Sequence, residues 1–206
     1  MPRKLKNRKT AAGPGNPATL RIVGGRFRGQ KILYGGHSRT RPMKNRLREA
    51  LFNLIGPAVV DKQAIDLFSG TGALGLEALS RGACRATMIE QHFPTAETIK
   101  KNAATLGVEE ATHIVTANVF TWWKRRPSLG PKPWLVFCSP PYELYVDGTE
   151  QMTSLIAELA AAAPKESILV VEADERFDFT RVFDHAAWDI RSYPPAVVGI
   201  YWKAES

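Results

Sequence analysis

Cysteine is nearly absent: Cys84 and Cys138 are the two among 206 residues. Thiols so few and so far apart form neither a disulfide framework nor a metal-ligand set, and they fit a reducing compartment. His37, His92, His113 and His185 are scattered without ligand spacing, so no metal is expected. No apolar run approaches the roughly 18 residues of a membrane span, and no apolar signal core follows the basic start. A cytoplasmic protein with no membrane association is expected. Neither a Ser-His-Asp set nor a pair of catalytic carboxylates stands out.

The most informative absence is of acid. Residues 1–48 contain no Asp or Glu but hold 14 of the 28 Lys and Arg residues, while all 20 acidic residues lie further along. A basic segment on a mildly acidic body implies an arm that binds a polyanion. Residues 1–19, with Pro, Gly and Asn after their charges, lack the apolar content to bury a core and are expected to be a disordered basic tail. Residues 20–57 then form a basic extension. LRIVGGRFRGQKILY alternates as a short hairpin with strands Leu20–Val23 and Gln30–Tyr34 around a glycine- and arginine-rich turn. Arg21, Arg26, Arg28 and Lys31 project from this ribbon, which is too small to stand without support. A helix opened by Pro42 spans 41–55, burying Leu47, Leu51, Leu54 and Ile55, with Lys44 and Arg48 together on another face.

From residue 58 to 206 the pattern changes to strand–helix alternation. Strands are expected at Ala64–Phe68, Ala86–Glu90, Thr112–Thr116, Trp134–Cys138 and Ser167–Glu172, with helices near 73–81, 94–106, 118–125 and 149–163. Short, nearly all-apolar strands separated by helices indicate a parallel sheet covered on both faces. Trp188–Tyr193 and Val197–Trp202 flank Pro194-Pro195 as a terminal antiparallel hairpin. The expected fold is α/β, a seven-stranded Rossmann-like sheet with a small N-terminal hairpin and helix.

Ligands of such sheets bind beyond the carboxyl ends of the strands. There the chain reads DLFSGTGALGLEAL (66–79), in which Gly70, Gly72 and Gly75 satisfy G-x-G-x-x-G. Glu90 ends the next strand, where an acid can accept both hydroxyls of a ribose. NAD enzymes and enzymes using S-adenosylmethionine share this layout. Asp66 favours the latter, because it suits a cationic amino-acid end and repels a pyrophosphate. WLVFCSPPYE adds a second signal: an apolar strand stopped by Ser139-Pro140-Pro141-Tyr142. An exocyclic amine on a nucleobase is a weak nucleophile that needs orientation and hydrogen-bond acceptors. A rigid Pro-Pro turn presents the Pro140 carbonyl and the Ser139 hydroxyl as acceptors, and Tyr142 offers a face for an extruded base. Cys138 lies inside the strand and is expected to be inert, and Trp122-Trp123 to pack a helix on the sheet.

The chain resembles the bacterial 16S rRNA guanine-N2 methyltransferases of the RsmD type. The resemblance rests on the GGRFRG hairpin, Arg41-Pro42, Arg46, Arg48-Glu49, Leu51-Phe52-Asn53, DLFSGTGALGLEALSRGA (66–83) and IEQ (89–91), and it runs, weakening, to VEAD at 171–174. It implies S-adenosylmethionine held by Asp66, Phe68, Ser69, Gly70, Gly72, Glu90, Gln91, Asn118 and Val119, with the last two beside the adenine. Ser139, Pro140, Pro141 and Tyr142 would receive the guanine. Arg26, Arg28, Arg41, Arg46 and Arg48 would contact RNA phosphates, alongside Arg21, Lys31 and Lys44 of the basic segment, although Arg46 or Arg48 is equally placed to pair with Glu49. The implied partner is the 16S rRNA of the small ribosomal subunit, and the implied state a monomer. Two departures stand out. The family usually has Asp or Asn where this chain has Ser139, and Arg-Pro-Thr-x-Asp-Arg where it reads Arg-Pro-Met-Lys-Asn-Arg. Because Ser-Pro-Pro-Tyr is at home in cytosine-N4 DNA methyltransferases, a DNA amino methyltransferase and a catalytically degenerate RNA-binding assembly factor stay open as alternatives.

Overall fold

The computed structural model describes residues 18–34 and 43–204. Arg41 and Pro42 therefore lie outside the described residues, as does the tail before residue 18. The chain runs β1 (Ala18–Arg21), β2 (Lys31–Tyr34), α1 (Asn45–Ile55), β3 (Gln63–Asp66), α2 (Ala73–Ser80), β4 (Arg85–Glu90), α3 (Phe93–Leu106), β5 (Thr112–Thr116), α4 (Val119–Lys124) and β6 (Trp134–Cys138). It continues through α5 (Leu144–Asp147), α6 (Thr149–Ala162), β7 (Ile168–Asp174), β8 (Trp188–Tyr193) and β9 (Ala196–Trp202). Seven strands form one sheet in the order β5-β4-β3-β6-β7-β9-β8, parallel except for β9, which is antiparallel to both neighbours. Strand order reverses between β3 and β6, the place where such sheets open a ligand crevice.

Side-chain alternation sorts the core into two layers. On one face Ala64, Met88, Leu135, Phe137 and Val170 pack under α1, α2 and α3; on the other Ile65, Ile89, Val136 and Val171 meet α4 and α6. Trp122 and Trp123 are buried in the second layer, as their pairing on a helix suggested. The strands at 112–116, 134–138 and 188–193 match the sequence-based ranges, and the others shift by one or two residues. The short α5 was not foreseen.

The N-terminal hairpin leans on α2. Every residue of α2 is buried, so this helix has no solvent face. Its outward polar side chains serve the hairpin instead. Ser80 Oγ donates to the Gly24 carbonyl (2.6 Å) and accepts the Phe27 N–H (3.0 Å). Gly25, at φ 72°, sits so close that a Cβ there would lie 2.0 Å from the Ser80 carbonyl oxygen. The turn is thus glycine for close approach as well as for its left-handed backbone. β1 ends at Arg21, short of the expected Val23, because the Val23 N–H turns to Glu77 Oε2 at 2.8 Å. Asn102 of α3 holds the other strand, accepting from Leu33 N–H (2.7 Å) and donating to its carbonyl (2.9 Å).

Two sequence readings on α1 are corrected. Lys44 is the extended residue preceding the helix and is exposed, so it shares no helical face with Arg48. Arg48 is fully buried and is not an RNA contact. Its partner is not Glu49 but Glu77, whose Oε2 lies 3.4 Å from Arg48 Nε, while Arg81 Nε donates to Glu77 Oε1 at 2.9 Å. Arg48 also donates to the Arg21 carbonyl and to Asn45 Oδ1. Burial pulls the Arg48 guanidinium below its ordinary pKa and the Glu77 charge pushes it back. Removing one member of such a pair leaves a charge buried and uncompensated. Glu77→Ala is therefore expected to destabilise the protein by about 3–5 kcal/mol in denaturant unfolding. Amide exchange at Val23 and Phe27 should accelerate beyond that of the β3–β6 strands; unchanged hairpin protection would show that Glu77 does not anchor the hairpin.

Candidate active site

The loop leaving β3 is fastened to both neighbouring strands. Leu67 N–H donates to the Phe137 carbonyl and Ser69 N–H to that of Ile89, each at 3.0 Å. Ser69 Oγ closes back on the Asp66 carbonyl at 2.8 Å. Gly70 and Gly72 take positive φ, 49° and 75°, which turns the chain into the start of α2. Gly75 answers a packing demand: a Cβ there would sit 2.7 Å from Met88 Sδ on β4. The resulting close approach lets the Gly75 N–H reach Asp66 Oδ2 at 3.3 Å.

Asp66 is buried, and its Oδ1 has no well-formed hydrogen bond. Burial pushes its carboxyl from the ordinary 3.8 up to about 7; the Gly75 N–H opposes this, the Glu90 charge adds to it and the Phe68 N–H opposes it. A buried carboxyl with an unpartnered oxygen fits a cationic ligand group, which would favour its charged form. Glu90, at the end of β4, accepts the Gly70 N–H on Oε2 (2.9 Å) and the His92 N–H on Oε1 (2.8 Å). Gln91 follows it, exposed. Asn118 caps α4, its Oδ1 accepting from the Phe120 and Thr121 N–H groups at 3.0 and 3.2 Å. Val119 is buried behind it. Phe120, which the sequence reading passed over, meets Phe68 edge-to-face at 6.4 Å between ring centroids. Its only sequence signal was an aromatic two residues past Asn118.

Across the reversal point, β6 ends at Cys138 and the Ser139–Tyr142 turn begins. Pro140 is buried and Pro141 exposed, and among the described residues no donor reaches the Pro140 carbonyl. Ser139 and Tyr142 are half-buried and converge on one carboxylate, Glu172 of β7. The Ser139 hydroxyl donates to Glu172 Oε2, and the Tyr142 hydroxyl donates to Oε1 at 3.1 Å. Burial first, then the Glu172 charge, pushes the Tyr142 phenol well above its usual range. Sequence reasoning missed Glu172 as a site residue; its signal was an acid directly after the apolar run ILVV. Cys138 is buried, its thiol pushed up to about 12 by burial, in keeping with an inert residue.

The basic segment divides. Arg21, Arg26, Arg28, Lys31, Lys44 and Arg46 are exposed, with Arg21 also donating to the Gly29 carbonyl at 3.2 Å and Arg26 lying 4.5 Å over the Phe27 ring. Among the described residues no cluster of His, Cys, Asp or Glu forms a metal site, and no helix is long and apolar enough to cross a membrane.

A sequence profile for the family described as "Conserved hypothetical protein 95" matches residues 20–198. "Ribosomal RNA small subunit methyltransferase D" of Escherichia coli K12 is 36% identical over 155 residues, covering 75% of each chain. The protein of the same name from Haemophilus influenzae is 32% identical over 158 residues, covering 76% of this chain and 80% of its own. The solved structure of yhhF from Escherichia coli superposes with a TM-score of 0.70 at 29% identity, covering 92% of this chain and all of that one.

The state of Asp66 is testable without any ligand. Its folded pKa of about 7 exceeds the ordinary 3.8, so the folded protein binds this proton more tightly than the unfolded chain does. The carboxyl therefore costs stability progressively as pH rises from 3.8 to about 7, and the cost is complete above that, of order 4 kcal/mol. Asp66→Asn is expected to raise the melting temperature at pH 8 and to change it little near pH 4. An equal shift at both would mean that the carboxyl is not protonated on folding.

Proposed function

The chain belongs to the family described as "Conserved hypothetical protein 95", and from that premise we propose that it transfers a methyl group from S-adenosylmethionine to the exocyclic N2 amine of a guanine in 16S rRNA. The observation that carries this reading is the meeting, at one strand-order reversal, of a glycine loop with Asp66 and Glu90 on one side and Ser139–Tyr142 on the other. The name carried by relatives of over 30% identity, ribosomal RNA small subunit methyltransferase D, supports small-subunit rRNA as the substrate.

Asp66 and Glu90 divide the work of holding the cofactor. The unpartnered Oδ1 of Asp66 suits its cationic amino-acid end, with Ser69, Gly70 and Gly72 shaping the wall. The Glu90 oxygens, already aimed by the Gly70 and His92 N–H groups, keep lone pairs for two ribose hydroxyls. Asn118 spends its side-chain oxygen on the helix cap, so its amide N–H groups are what it offers an adenine, with Val119, Phe68, Phe120 and Gln91 around it. The cofactor, when bound, supplies an electrophilic methyl on a cationic sulfur. The protein's task is to bring an amine in line with that methyl and to accept its hydrogen bonds. Ser139 and the Pro140 carbonyl supply the acceptors, and Tyr142 offers a stacking face for a base taken out of its stack. Every residue assigned to this site comes from one chain, which supports a monomer, and an rRNA substrate supports action in the cytoplasm.

The test is product analysis. Undermethylated small ribosomal subunits, free rRNA and duplex DNA are offered with labelled S-adenosylmethionine, and the nucleosides are identified by mass spectrometry. N2-methylguanosine from a ribosomal sample is expected. A methylated base in DNA alone would overturn the substrate, and cofactor binding without transfer would overturn the activity.

Arg26, Arg28, Lys31, Lys44 and Arg46, with Arg21 and Arg41, are proposed to neutralise RNA phosphates. Phosphate contacts release counterions and make affinity steeply salt-dependent. Replacing Arg26 and Arg28 together by Ala is expected to lower the slope of log affinity against log salt by about two. An unchanged slope would remove the hairpin from the RNA interface.

A further inference from the structure

We propose that Glu172 is a positioning residue of the methyl-transfer site, which fixes the Ser139 hydroxyl as an acceptor and takes the amine's proton through it. The inference rests on the reading of the chain as an amino methyltransferase but not on which base is methylated.

The parallel register brings the two residues together. β6 and β7 pair Leu135 with Ile168 and so on to Cys138 with Val171, and the next step along both strands is Ser139 beside Glu172. In a parallel pair such neighbours project to the same face. Glu172 is 7% exposed, two residues before the end of a strand whose other residues are all buried. Burying a carboxylate is costly, and this one is met by two hydroxyl donors from the acceptor turn itself.

A serine hydroxyl holds one proton and two lone pairs. Left alone it donates as readily as it accepts, and a donated proton would compete for the amine's own lone pair. With its proton committed to Glu172 Oε2, Ser139 presents only lone pairs to a base amine. The second oxygen of Glu172 receives the Tyr142 hydroxyl and so pins the ring on which the base would lie. A third link, from the Tyr145 hydroxyl to the Glu172 carbonyl at 3.0 Å, ties this strand end to α5.

The proton path balances. The amine nitrogen gains the methyl as the sulfonium's carbon–sulfur bond breaks, its electron pair staying on sulfur, and the nitrogen becomes cationic. One N–H bond then breaks as the proton joins the Ser139 oxygen, while the original Ser139 proton passes to Glu172. Glu172 ends neutral and later returns the proton to water.

The experiment compares single-turnover rates of the full chain with rRNA, together with the dissociation constants for RNA and for S-adenosylhomocysteine. Glu172→Gln presents an amide N–H to Ser139 and occupies its lone pair, so the rate is expected to fall by about 10²-fold with both affinities retained. Ser139→Ala should fall similarly, and the double variant no further. The sharper readout is a sign reversal. Ser139→Asp alone sets two carboxylates against each other and should impair the enzyme. In the Glu172→Gln background the same change restores a carboxylate with an amide donor behind it and should recover much of the rate. Glu172→Gln within threefold of the parent, or no recovery on adding Ser139→Asp, would overturn the proposal. A product other than N2-methylguanosine with the reversal intact would overturn the substrate reading and uphold Glu172. No methylated amine from the parent protein would overturn both.

Discussion

The structure depends on a single buried carboxylate. Glu77 has no exposed surface, yet it receives the Val23 N–H from the hairpin and ion pairs from Arg48 of α1 and Arg81 at the end of α2. Three segments that share no sheet are thus held at one point, on the helix that follows the glycine loop. A pair of hydrophobic residues would fill such a volume at lower desolvation cost. What the charges add is a fixed geometry. The guanidinium of Arg48 has to meet Glu77, the Arg21 carbonyl and Asn45 at once, and only one placement of the hairpin satisfies all three. Exposed arginines of that hairpin are thereby set at a constant position relative to α2, whose start is the glycine loop.

The sheet assembles the site from two sources. Asp66 of β3, Ser139 beyond β6 and Glu172 of β7 stand on three adjacent strands, and by alternation all three fall on the face that carries α1, α2 and α3. β3 and β6 part toward their helices at the order reversal, which opens a crevice no other neighbouring pair provides. Asp66 and Glu90 lie on the side proposed for the cofactor, and on the side proposed for the acceptor Glu172 sits behind two hydroxyls. The difference is functional. A cation is met directly by a carboxyl, whereas a neutral amine is met by hydrogen-bond acceptors, here the Ser139 hydroxyl held by Glu172.

Much of this was legible in the chain. Trp134–Cys138 is apolar throughout and bounded by prolines, so its range could be read without a structure. The terminal hairpin and the DLFSGTG loop were equally plain, since each depends on local turn chemistry. Arg48 was misread for the opposite reason. Its partner is 29 residues away on α2, and spacing along a chain reports only local pairs such as Glu49. Local charge density made the whole segment look solvated, although one of its arginines is an internal strut. The start of α1 was placed early because Pro42 is a good first-turn residue, while Lys44 keeps the extended backbone that precedes a helix.

Glu172 shows what was recoverable but not recovered. Two acids, Glu172 and Asp174, break the apolar pattern of ILVVEAD, a strand buried on both faces, and such a break calls for partners. Strand order alone narrows the search, because in a doubly wound sheet the strand after the Pro-Pro turn's own strand lies directly beside it. The register that pairs Cys138 with Val171, which strand order alone does not give, then sets Glu172 next to Ser139. The absence of a carboxylate at Ser139 and the presence of one in the neighbouring strand are in this sense one feature. The turn contributes the hydroxyl, the adjacent strand contributes the charge, and the hydrogen bond between them leaves the serine oxygen as an acceptor.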